Sequence, residues 1–145
     1  MDTKRILVGA LVGAVTLHVV GYLIFGIALV DFGLANRGSA TGAFRDPQLR
    51  WFFALGDLTL ATLLTLGIII RGVPTIAGGV VTGAVVGLLA WLGVSLITYG
   101  YANLWNLTAT IVFPLFSAIQ YGVAGAVIAA ALARVPKSAT IRPAE

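Results

Sequence analysis

Four long apolar runs, each closed by charged or turn-forming residues, divide this chain. The pattern predicts helices over residues 6–30, 47–70, 75–102 and 107–133. At 1.5 Å per residue, each can cross the ~30 Å hydrocarbon layer of a bilayer. The first run lacks formal charge with His18 counted neutral, and it is too long for a cleaved signal peptide, so it reads as a retained helix behind the charged lead Met1 to Arg5. Residues 31–45 carry Asn36, Gly38, Ser39, Thr41 and Gly42, which is loop chemistry. Asp46-Pro47 predicts an N-cap and first-turn proline for the second helix, with Arg50 and Trp51 near headgroup level. Arg71-Gly72-Val73-Pro74 and Asn103-Leu104-Trp105-Asn106 are short turns, and Pro114 should kink the fourth helix. Arg134 and Pro136 end that helix and leave residues 135–145 as a basic tail.

The third run is the predicted packing centre. Gly79, Gly83 and Gly87 fall four apart, and the same spacing continues to Trp91, Ser95, Tyr99 and Asn103. Three such glycines span roughly 80° of helix surface and form a groove that a neighbouring backbone can approach. Gly9 and Gly13 supply a similar pair in the first run. The two sets align at a shift of 74 residues, and Ala61 and Arg71 meet Ala124 and Arg134 at a shift of 63. These matches suggest a duplicated helical hairpin.

Composition confirms the solvent. With 59% apolar and 10% charged residues and a mean hydropathy of +1.03, a soluble fold of this length would lack polar surface. The expected fold class is therefore an all-α membrane protein, an up-down bundle of four transmembrane helices. The net charge of +4 lies at the ends of apolar runs, which points to anionic lipid headgroups and away from nucleic acid. Lys4, Arg5, Arg71, Arg134, Lys137 and Arg142 fall on one side, against Arg37, Arg45 and Arg50 on the other. That bias predicts cytoplasmic termini, a cytoplasmic tail and an external long loop.

Polar residues inside the runs carry whatever chemistry the chain has, because each costs a few kcal/mol in hydrocarbon unless partnered. By helical rise, His18 and Asp57 lie at similar depth in the outer half, so they are expected to be neighbours. Tyr22, Ser95, Tyr99, Ser117, Gln120 and Tyr121 fall in or near the same layer. This cluster reads either as a hydrogen-bonded register lock or as a ligand or proton site open to the outer face. Catalysis has less support: Ser95 and His18 lack an oxyanion motif, and Gly56-Asp57 has Ala54 where an intramembrane aspartyl protease would need glycine. One histidine and no cysteine cannot build a zinc site, no phosphate loop is present, and no cofactor is implied.

The segments Asp31-Phe32-Gly33-Leu34-Ala35-Asn36, Gly38-Ser39-Ala40-Thr41-Gly42 and Tyr99-Gly100-Tyr101-Ala102-Asn103-Leu104-Trp105-Asn106-Leu107-Thr108, with Gly56-Asp57-Leu58, resemble small four-helix proteins of the bacterial inner membrane that have no assigned function. Similar proteins often carry Asn at the position of Asp57. The resemblance implies the architecture and a bacterial inner (cytoplasmic) membrane. The leading functional expectation is a structural or accessory role, as a homo-oligomer or within a larger membrane complex. The alternative is a small ligand- or proton-coupled binding or transport protein that uses the polar cluster.

Overall fold

A computed structural model describes residues 2–45, 47–72 and 74–136. It contains α1 (Thr3–Gly21), a π-helical segment (Tyr22–Ala28), α2 (Val30–Ala35), α3 (Arg50–Ile70), α4 (Ile76–Tyr101) and α5 (Leu107–Arg134). Four spans, Thr3–Ala28, α3, α4 and α5, are long and apolar enough to cross a membrane, and they pack as an up-down bundle. The chain is thus an all-α, multi-pass membrane protein. Residues 36–45, 47–49 and 102–106 lie at one end, the cap end. The start of α1, the Arg71 turn and the close of α5 lie at the other, the basic end.

Helix boundaries follow local capping, and several differ from the sequence pattern. The Asp2 side chain accepts from the Lys4 and Arg5 amides, so the charged lead is already helical and α1 starts at Thr3. The first span does not continue as one α-helix to residue 30. It widens into the π segment, breaks at Leu29 and resumes as α2, so Asp31 to Ala35 are helical where a loop was expected. Pro47 precedes α3, which begins at Arg50 without a side-chain cap; Asp46 lies outside the described residues. Thr75 caps α4 by accepting from Gly78, and Asn106 caps α5 by accepting from Ala109. Both caps fall where the turn chemistry put them. Pro114 is buried within a continuous α5. Most of the expected tail, residues 137–145, lies outside the described residues.

The packing centre is α5, which corrects the expectation that placed it on α4. Its buried face carries Ala109, Ala124, Gly125 and Ala129 between larger anchors, and these small residues let α1, α3 and α4 all approach. Leu17, Ala61, Leu64, Ile68, Tyr121, Ile128 and Leu132 fill the core between α1, α3 and α5. By contrast α4 buries only Gly79, Thr82, Gly83 and Gly87, and much of its remaining surface is apolar and exposed. Its glycine groove seats directly on the α5 backbone. A Cβ on Gly83 would collide with the Tyr121 carbonyl, and one on Gly79 with the Gly125 carbonyl. Gly87 lies over Tyr121, whose Cβ would be 2.6 Å from an added Cβ.

Gly9 and Gly13 also serve close packing, against Thr65 on α3 and against Ala61 and Ile128, respectively. The two hairpins nevertheless pack in different registers. Gly9 meets Thr65, whose counterpart by the repeat is Ile128, yet Gly83 meets Tyr121, two turns earlier.

Candidate functional site

Near the basic end α3 and α4 are joined, where the Arg71 Nη1–H donates to Thr82 Oγ1 at 2.6 Å and Gly67 approaches the Thr82 methyl. Toward the cap end both helices line a cavity of about 760 Å³. Phe53 and Asp57 come from α3, Trp91, Ser95, Thr98 and Tyr99 from α4, and Phe113, Ser117 and Gln120 from α5. Phe53, Val94 and Tyr99 among its lining residues are about half exposed, so the cavity reaches the surface beside α3 and α4 as well as beside α2 and the long connection, where Leu34 and Phe44 are similarly exposed.

Its apolar wall is an aromatic cluster centred on Phe113. Phe25, Phe32 and Trp105 each meet that ring edge-on, with centroids 5.9, 5.8 and 5.1 Å away. The break at Leu29 turns the chain so that Phe25 and Phe32, from the π segment and α2, both reach it. Gly33 brings α2 within ordinary contact of Phe113 and Trp105.

The cap is held by backbone pairing between the two connections at that end. Arg37 and Trp105 form an antiparallel β-bridge, the Gly38 amide donates to the Leu104 carbonyl, and the Ala40 amide donates to the Asn103 carbonyl. Asn106 donates from its backbone to the Asn36 carbonyl and from its side chain to Asn36 Oδ1 at 2.8 Å. The Asn103 side chain donates to Ser39 Oγ. Arg37 lies over the Phe44 ring, which tilts against Trp105. The long connection is therefore a stitched lid over the cavity rather than a free loop.

The polar cluster expected from depth is partly assembled. Asp57, Ser95, Tyr99, Ser117 and Gln120 line the cavity. His18 Nδ1 is 2.8 Å from Asp57 Oδ2, with the His18 side chain half exposed outside the bundle and Asp57 largely enclosed. With Asp57 ionised, Nδ1 carries the proton and donates. Gln120 crosses from α5 to α1, donating to the Leu17 carbonyl at 2.8 Å in space kept open by Gly21. Ser117 Oγ donates back to the Phe113 carbonyl.

Two candidates fall elsewhere. Tyr22 is exposed, its ring lying over Gly26 in the π segment, and does not line the cavity, because the change of helix type ends the α-helical stripe shared with His18. Tyr121 is buried in the core beneath the glycine groove. Phe25, Phe113, Trp105 and Arg37 were not among the sequence candidates. Their signal was the density of asparagine at 36, 103 and 106, which marks two connections that bind each other. No group of three or more metal-ligating side chains occurs among the described residues. Comparison with protein-family models, curated proteins and solved structures found no match to this chain.

The His18–Asp57 contact is directly measurable. A double-mutant cycle with His18→Leu and Asp57→Leu is expected to give a coupling free energy above ~0.5 kcal/mol in detergent-unfolding experiments. Asp57→Asn should retain most of it, since an amide oxygen still accepts from Nδ1–H. A coupling indistinguishable from zero would show that the pair contributes nothing in the membrane.

Proposed function

We propose that this chain is a membrane-embedded binding protein whose cap-end cavity takes a small amphipathic molecule from the surrounding lipid. The observation that carries this reading is the cavity itself. Its volume falls in the range of small-molecule sites, and its largely apolar wall has a few convergent polar groups to orient a ligand. An apolar body fits against Phe25, Phe113 and Trp105, while Asp57, Ser95 and Gln120 receive its polar end. The exposed lining residues Phe53 and Val94, on apolar faces of α3 and α4, would give access from the bilayer. The lysine and arginine bias supports placing the cap outside and the basic end in the cytoplasm, and the family resemblance supports a bacterial inner membrane.

Native mass spectrometry of the protein released from lipid nanodiscs tests the proposal. The wild type should retain a small molecule, and Ser95→Trp, which fills the cavity with an indole, should lose it while folding normally. A wild type that emerges bare, or a Ser95→Trp variant that retains as much, would overturn the binding reading. A co-purifying protein in place of a small molecule would restore the accessory role expected from the sequence.

A further inference from the structure

Among the described residues, two charged side chains line the cap-end cavity, Asp57 on α3 and Arg37 on the cap. They form no ion pair with each other. Asp57 Oδ2 is taken by His18 Nδ1, Arg37 lies over the Phe44 ring, and Asp57 sits roughly 10 Å by helical rise from the cap-end start of α3 at Arg50. The second carboxylate oxygen, Asp57 Oδ1, has no hydrogen-bond partner among the described residues, yet it is not among the polar atoms sealed in the packing. It is therefore open to a molecule in the cavity. A neutral His18 holds Oδ2 through its Nδ1–H, and the pair then keeps the full negative charge of the carboxylate. The neighbouring groups add acceptors: Gln120 and Ser117 each donate to a backbone carbonyl, of Leu17 and Phe113, and retain oxygen lone pairs. Ser95 joins them from α4. Phe53 lies one turn from Asp57 and Trp91 one turn from Ser95, and both rings line the cavity, which adds the π faces that attract cations.

We infer that the molecule bound in this cavity is an amphipathic cation, a protonated amine carried on an apolar body, with its ammonium on Asp57 Oδ1. The inference rests on the binding role proposed for the cavity and names the head group that the cavity selects. An ammonium has three donors and no acceptor, which suits a carboxylate oxygen set among hydroxyl and amide oxygens. A hydrogen bond from a charged donor to a charged acceptor is roughly twice as strong as a neutral one, and a largely apolar wall strengthens it further. A hydroxyl head leaves the charge on Oδ1 without a counter-charge, and a carboxylate head meets Asp57 as a like charge.

The test is a calorimetric titration of the full chain in phosphatidylcholine nanodiscs at pH 7, with the heat of empty nanodiscs subtracted. The probes are 4-phenylbutylamine, 4-phenylbutanol and 4-phenylbutanoate, which share one apolar body and differ in carrying an ammonium, a hydroxyl or a carboxylate. The wild type should bind the amine roughly tenfold more tightly than the alcohol, the scale of one charge-assisted hydrogen bond, and the carboxylate most weakly. Asp57→Asn, which keeps an acceptor for His18, should lose the preference and bind the amine no more tightly than the alcohol. Ser95→Trp should bind neither. A wild type that takes the alcohol or the carboxylate as tightly as the amine overturns the cation assignment and leaves the cavity as a binding site. So does an Asp57→Asn variant that still prefers the amine. A Ser95→Trp variant that binds the amine like wild type places the binding outside the cavity and overturns the assignment. A wild type that binds no probe overturns it as well, and together with a bare native mass spectrum it also removes the binding role of the cavity. If Asp57→Asn does not fold, the wild-type order of the three head groups and its loss in Ser95→Trp decide.

Discussion

Gly83→Ala is expected to destabilise the bundle although alanine is the better helix former, and Gly83→Leu should abolish folding or cost about 3 kcal/mol or more. Intrinsic propensity alone favours alanine over glycine by ~1 kcal/mol in a helix interior. At Gly83 that gain is outweighed, because the atom facing the position is the Tyr121 carbonyl oxygen, part of the α5 backbone, which cannot rotate aside. The helices must separate, and the contacts at Gly79, Gly87 and Gly125 along the same seam are lost together. Overpacking against flexible side chains costs 1–3 kcal/mol, and a rigid backbone places this site at or above that limit. Gly93→Ala supplies the opposite sign on the same helix, since nothing lies within 4 Å of an added Cβ there. Thermal or denaturing-detergent unfolding should rank Gly93→Ala at or above wild type, with Gly83→Ala below and Gly83→Leu last. Equal stability of the two alanine variants would mean that α4 does not touch α5 through this groove.

Phe113→Ala should cost about 3–5 kcal/mol, the range for truncating a packed aromatic ring, and should also free the cap. Its ring is the shared partner of Phe25, Phe32 and Trp105, so truncation leaves three edge-on contacts unmade. Trp105 is bonded through the bridge to Arg37 and packed at a tilt against Phe44, which transmits the loss to residues 36–40. Hydrogen exchange at the Gly38 and Ala40 amides, which donate across the cap, should accelerate in Phe113→Ala. Exchange at core positions of α5 near Ile128 should change only in proportion to global stability. Leu115→Ala, an exposed position on the same helix, is the control and should be near neutral. Unchanged protection of the cap amides in Phe113→Ala would show that the lid stands without the aromatic cluster.

The sequence by itself determined the four spans, the cap-end turn chemistry, the glycine groove and the shared depth of His18 and Asp57. Each of these is a property of one helix or of distance along it. Apolar run length fixes how many times the chain crosses, four-residue spacing fixes a stripe, and a rise of ~1.5 Å per residue fixes depth. What a stripe or a depth cannot state is which neighbour meets it. Gly79, Gly83 and Gly87 look like the centre of the molecule from α4, yet that helix spends its one groove on α5, and α5 receives the others because its small residues are spread around its circumference. Tyr22 left the polar layer because the α-helical period ended at Gly21, a change of hydrogen-bond pattern that composition does not mark. Only the tertiary structure decided which residues of α3, α4 and α5 line the cavity and which rings gather around Phe113, because both depend on the register between helices far apart in sequence.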